Sequence, residues 1–189
     1  MVGLFFGSFN PVHIGHLVIA NYMANFTDLD EVWLVVSPHN PLKNKSGLAD
    51  MYDRLEMVQL AIENSNKLKA SNIEFSLPQP SYTIDTLAYL AEKYPNKDFA
   101  LIMGADNLAS LHKWKNYELI LENYKLYVYP RPNCDTSTWE KHPSIVLTQS
   151  PQMDLSSTFI RKAIKAKKSI QFMVPDVVLD FIDKKSLYQ

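Results

Sequence analysis

Six short apolar runs, rich in β-branched and aromatic residues, recur along the chain: Val2 to Phe6, Glu31 to Ser37, Ala70 to Phe75, Phe99 to Gly104, Lys125 to Tyr129 and Ile145 to Leu147. None shows the in-out alternation of a half-solvated sheet, so each reads as a strand buried on both faces. Between them lie amphipathic stretches of helical period, chiefly His13 to Phe26, Asp50 to Asn64, Thr83 to Tyr94 and Tyr117 to Asn123. Strand and helix in alternation predict a doubly wound α/β fold, a parallel sheet with helices on both faces. The tail departs from this rhythm. Two helical segments, Ser156 to Lys168 and Asp176 to Lys185, follow one another without a strand, the second opened by Val174-Pro175. With 189 residues and 47% hydrophobic side chains, residues 1–189 suit one domain around one core. In such sheets ligands bind beyond the carboxyl ends of the strands, where the strand order reverses.

Charge narrows the partners. A net charge of −1 argues against a general nucleic-acid binder. Residues 1–42 carry only Asp28, Asp30 and Glu31, whereas Leu155 to Lys168 holds Arg161, Lys162, Lys165, Lys167 and Lys168 without an acid. That segment is either a solvated helix face or the seat of a small polyanion. No Lys or Arg precedes Lys43, and no apolar run approaches the roughly eighteen residues of a membrane span, so a cytoplasmic protein without membrane partners is expected. Cys134 is the single cysteine, which excludes an internal disulfide and a thiolate zinc cluster. Homo-oligomer formation is left open.

The chemistry concentrates first in Gly7-Ser8-Phe9-Asn10-Pro11-Val12-His13-Ile14-Gly15-His16. Gly7 permits close backbone approach to a ligand, and Pro11 stiffens the turn into a helix expected to begin near Val12 or His13. His13 and His16, three apart, share a helix face at the amino end, where N–H groups and the dipole favour an anion. Gly15 keeps that turn open to a nucleotide at a cost of about 1 kcal/mol in helix propensity. Zinc fits poorly: metalloprotease histidines stand four apart with a glutamate between, and two imidazoles fall short of a catalytic set. The pair reads as a phosphate site.

This string resembles the GxFxPxHxGH signature of the nucleotidyltransferases related to class I aminoacyl-tRNA synthetases, and Ser156-Ser157-Thr158-Phe159-Ile160-Arg161 is similar to the SSTxIR element of the small adenylyltransferases. Three further stretches resemble the nicotinate-nucleotide adenylyltransferases: Pro80-Ser81-Tyr82-Thr83-Ile84-Asp85-Thr86-Leu87, Gly104-Ala105-Asp106-Asn107-Leu108 through Leu111 to Trp114, and Val174-Pro175. The resemblance implies transfer of AMP from ATP, with Mg²⁺, to a pyridine mononucleotide. It places Gly7, Ser8, Phe9, His13, His16, Gly104 and Asp106 at ATP, joined by Ser156, Ser157, Thr158, Ile160 and Arg161. Lys43, Arg54, Tyr82, Thr83, Asp106 and Trp114 would meet the nicotinate nucleotide, with His13, His16, Lys43 and Arg161 catalytic. Lys43 comes from a loop shared with His39, and Arg54 from Arg54-Leu55-Glu56-Met57, which matches the family's Arg-Leu-x-Met.

The implied roles agree with the chemistry of the residue types. Free N–H groups at a helix start near Thr83 suit a carboxylate, and an indole face such as Trp114 attracts a desolvated pyridinium by about 2 kcal/mol. Hydroxyl caps followed by a guanidinium suit phosphate oxygens. Competing readings are a nicotinamide mononucleotide or phosphopantetheine acceptor, a non-catalytic nucleotide sensor, and a purely structural α/β module. The phosphopantetheine family usually carries threonine where His13 stands.

Overall fold

In a computed structural model that describes residues 1–38 and 47–189, the apolar runs pair into one sheet. Its strands are β1 (Val2–Gly7), β2 (Glu31–Val36), β3 (Leu68–Ser71), β4 (Phe99–Gly104), β5 (Lys125–Tyr129) and β6 (Ile145–Leu147). The order is β3-β2-β1-β4-β5-β6 and every pairing is parallel. All six residues of β4 are buried, as a strand covered on both faces requires.

The helices are α1 (Ile14–Phe26), α2 (Met51–Ile62), α3 (Thr83–Lys93), α4 (Ala105–Ala109), α5 (Tyr117–Asn123), α6 (Ser157–Lys165) and α7 (Asp176–Lys185). On one face of the sheet, α1, α2, α6 and α7 contribute Met23, Met57, Ile160, Val178 and Phe181 to one apolar cluster. On the other, α3, α4 and α5 contribute Leu87, Leu90, Leu108, Ile120 and Leu121 to a second. The core therefore lies in two layers divided by the sheet, as a doubly wound fold demands.

Several boundaries differ from expectation, among them the end of α6, which stops at Lys165 and not at Lys168. His13 keeps extended backbone (φ −145°, ψ 169°), so α1 starts one residue later, at Ile14. The third strand ends at Ser71, and Ile73–Ser76 coils into a 3-10 turn as the Ser71 hydroxyl accepts the Ile73 N–H at 3.4 Å. Ile73 is still buried, which is why hydropathy alone extends that strand to Phe75. The five-residue α4 is too short for a periodic signal; burial of Leu108, worth about 2 kcal/mol, offsets the cost of so short a helix.

The order reverses between β1, which continues toward β2 and β3, and β4, which continues toward β5 and β6. The loops after β1 and β4 thus flank the crevice where such sheets bind ligands. Among the described residues no helix is long and apolar enough to cross a membrane.

Candidate active site

The loop after β1 is held by its own carbonyl oxygens. Ser8 O accepts from Arg54 at 2.7 Å, Asn10 O from Arg161 Nη1 at 2.8 Å, and Pro11 O from the Ser157 hydroxyl at 2.9 Å. The buried Asn10 amide joins the same loop to the start of α2, donating to Gly47 O (2.9 Å) and accepting from Ala49 N–H (3.1 Å). Negative ends that would repel a phosphate are thereby turned to protein donors. Phe9 pays with left-handed backbone (φ 44°), uncommon for a bulky residue, to bury its ring beneath the loop. A Cβ on Gly7 would lie 2.8 Å from that ring, so the buried Phe9 ring packs directly against Gly7.

His13 and His16 come together as predicted, with ring centroids 3.7 Å apart and planes at 28°. His16 Nδ1 accepts the His13 N–H at 3.2 Å, which leaves the proton of the neutral ring on Nε2 and makes that nitrogen a donor. The edges of Phe5 and Phe9 fix the His16 ring from the sheet side. His13 is 4% exposed, and its Nδ1 is buried without a partner among the described residues. Burial first, then the charge of Arg131, holds its pKa down to about 4, so the imidazole is neutral at physiological pH. Gly15 fits this pair: a Cβ there would sit 3.1 Å from the His13 ring. The missing side chain leaves space for the His13 imidazole.

At the start of α1 the His13 N–H goes to His16, the Ile14 N–H to Met173 O at 3.0 Å, and the His16 N–H back to His13 O at 2.9 Å. These three amides are engaged within the protein.

Helix α6 completes the corner. Ser156 caps it by accepting the Phe159 N–H at 3.2 Å, Ser157 docks on Pro11, and the exposed Thr158 hydroxyl meets Arg161 Nη2 at 3.4 Å. Arg161, with Nη1 on Asn10, is thus brought to the histidine loop from the far end of the chain. Ile160, by contrast, is fully buried in the core, and its side chain is no ligand.

Beyond β4, Gly104 is closely packed: a Cβ there would meet the folded-back Asp106 carboxylate and lie 3.2 Å from the Tyr129 ring. Asp106, exposed in the first turn of α4, pairs with Arg131 Nε at 3.8 Å. Arg131 lies over the Tyr129 ring, 5.1 Å from its centroid, and Tyr129 meets Phe5 edge-on. Burial raises the Tyr129 pKa, keeping the phenol neutral beside this cation. Sequence reasoning missed Arg131, although its place just beyond the carboxyl end of β5 is where the fold directs a search.

The acceptor candidates gather on the second face. Tyr82 caps α3, Thr83 begins it, and Trp114 ends a 3-10 turn at Leu111–Lys113, half-buried against the second cluster. Lys115, also missed, ties the two: its ammonium reaches Asp85 at 2.8 Å and lies 4.9 Å from the Tyr82 ring centroid. Arg54 is not part of this group. It is fully buried and donates to Ala49 O, Ser8 O, Ser37 O and Pro38 O at 2.7–3.0 Å, so its guanidinium is a brace for the loops and unavailable to a nucleotide. Lys43 and His39 lie outside the described residues.

Among the described residues no three His, Cys, Asp or Glu side chains converge on a metal position.

A glycine loop, a stacked histidine pair and a capped cationic helix at the switch point of a parallel sheet define a nucleotidyl-transferring α/β protein. Consistent with this, the cytidylyltransferase-like family model matches residues 4–163. A probable nicotinate-nucleotide adenylyltransferase of Flavobacterium johnsoniae is 55% identical over 190 residues, covering 100% of this chain and 98% of that protein. Its counterpart in Bacteroides fragilis is 46% identical over 93% of this chain and 88% of its own. The solved nicotinic acid mononucleotide adenylyltransferase of Plasmodium falciparum, complexed with NaAD, matches with a TM-score of 0.84 and 25% identity over 99% of this chain and 96% of its own. The chain belongs to the cytidylyltransferase-like family and, within it, to the nicotinate-nucleotide adenylyltransferases.

Proposed function

We propose that this chain transfers AMP from ATP to nicotinate mononucleotide, giving nicotinate adenine dinucleotide and pyrophosphate. The observation that carries the site assignment is the stacked His13–His16 pair beside a loop held by Arg161. A phosphate oxygen of the acceptor attacks the α-phosphorus in line, and the bond from that phosphorus to the bridging oxygen breaks. The nucleophile is already anionic, so no covalent intermediate is needed. Catalysis rests on alignment and on donors aimed where charge grows.

His16, donating through Nε2, serves the α- and β-phosphates, and His13 offers its buried neutral ring beside it. Arg161 and Lys43 take the departing pyrophosphate. Asp106 accepts from ribose hydroxyls, while the amides at Tyr82 and Thr83 receive the nicotinate carboxylate and Trp114 the pyridinium face. Mg²⁺ would enter with the triphosphate beside His13 and His16 and would supply neutralisation of phosphate charge there. A single domain in the cytoplasm is part of this reading.

Incubation with ATP, Mg²⁺ and nicotinate or nicotinamide mononucleotide, followed by a pyrophosphate assay, tests it. Pyrophosphate is expected with the acid; none with either nucleotide overturns the reading and leaves a nucleotide sensor. In the same assay His16→Ala should still fold but lower kcat by about a hundredfold or more, on the order of 3 kcal/mol. Near-native kcat would remove His16 from the chemistry.

A further inference from the structure

No step above uses Glu74, yet it is the most deeply buried carboxyl in the described residues, at 3% exposure in the 3-10 turn after β3. Its Oε1 accepts the Thr86 hydroxyl proton at 2.9 Å, and the hydroxyls of Ser37 and Ser81 lie near the same carboxyl. Burial pushes its pKa up while these hydroxyls pull against that shift. Its backbone oxygen accepts from Gln79 Nε2 at 3.1 Å, which draws the chain before Pro80 inward.

These neighbours come from three segments. Ser37 follows β2, and its own carbonyl is held by Arg54. Ser81 directly precedes the α3 cap, and Thr86 stands one turn into α3. For packing alone an apolar side chain would serve at lower cost, because a buried carboxyl forfeits hydration. What the carboxyl adds is direction. It holds the Thr86 hydroxyl one turn beyond Tyr82 and Thr83, whose amides begin the helix.

Alignment matters most there. A carboxylate accepts at both oxygens, whereas an amide presents one oxygen and an NH₂ that two N–H groups reject, and hydrogen bonds weaken steeply once misaligned. Resting on the proposed reaction, we infer that Glu74, through Thr86, is a positioning residue that sets the preference for an acid over an amide on the acceptor ring.

The test uses steady-state kinetics with both pyridine mononucleotides on wild type, Thr86→Val, Glu74→Leu and Glu74→Gln. Thr86→Val and Glu74→Leu should lower kcat/KM for the acid by about fivefold through KM, the size expected from one lost buried hydrogen bond, and lower the acid-to-amide ratio with it. The KM for ATP should not move. Glu74→Gln, whose carbonyl still accepts from Thr86, should restore the ratio. A purely structural role would lower Tm and leave the ratio where it was. An unchanged ratio in Thr86→Val overturns the inference, even if Glu74→Leu fails to fold, and so does a Glu74→Gln enzyme as impaired as Glu74→Leu. Wild type that releases pyrophosphate while the variants keep its ratio sinks this inference alone; wild type inactive with both nucleotides sinks the reaction as well.

Discussion

His13 can occupy its place only as a neutral ring. Desolvation, aided by the charge of Arg131, holds its folded pKa at about 4, against about 6.5 in an unfolded chain. Between those values the unfolded state binds more protons, so stability rises with pH across that window. The contribution is complete above pH 6.5 and is lost as pH falls toward 4, about 3 kcal/mol in all. Urea unfolding of wild type and His13→Asn at pH 7 and pH 4.5 measures it: wild type should lose about 2 kcal/mol more than the variant. Asp28 and Glu31, also held low, titrate in both proteins and cancel in the comparison. Equal losses would mean that the His13 ring is protonated in the fold. The same desolvation makes His13 a neutral hydrogen-bonding group at working pH. Arg54 shows the opposite use of a buried polar group, with its donors satisfied inside the protein by backbone carbonyls.

At the scale of elements, α1 owes its function to what happens at its first residues. Replacing Gly15 by Ala would add about 1 kcal/mol of helix propensity, but the new methyl would press on the His13 ring at 3.1 Å. Stability should therefore change by less than about 1 kcal/mol while kcat falls about tenfold or more, since displacing a catalytic group by a fraction of an ångström is felt in alignment. Thermal melts and kcat of Gly15→Ala decide it; full turnover would mean that the ring has slack. This helix was legible because its period and its HxxH spacing are local. The first loop and the cap of α6 were legible for the same reason, each being a short pattern with one chemical meaning. Arg54 was not, because its match to Arg-Leu-x-Met reports a charge and not the carbonyls of Ser8 and Ser37 that enclose it. Glu74 was hidden inside an apolar run whose period says strand, and Arg131 and Lys115 belong to no short pattern. Their meaning comes from neighbours that only the tertiary fold supplies: Tyr129 and Asp106 for one, Tyr82 and Asp85 for the other.

For the whole molecule, the decisive contacts join its distant parts. Ser157 reaches Pro11 across 146 residues of sequence and Arg161 reaches Asn10 across 151, so the phosphate corner exists only once the sheet has formed between them. A triphosphate seated there would bind the folded chain and not the unfolded one, and would add RT ln(1 + [L]/Kd) to global stability. At a hundredfold excess over Kd this is about 2.7 kcal/mol, and for a chain of this size each kcal/mol moves Tm by about 2–4 °C. ATP with Mg²⁺ should accordingly raise Tm by roughly 5–10 °C. Arg161→Gln should forfeit part of that rise, because the lost guanidinium docks α6 on the first loop and, in the proposed reaction, would meet the pyrophosphate. Differential scanning calorimetry with and without ATP reads both effects in one experiment. No ATP-dependent rise in wild type would reduce the corner to a structural joint, and an undiminished rise in Arg161→Gln would assign the triphosphate to the histidine loop without help from α6.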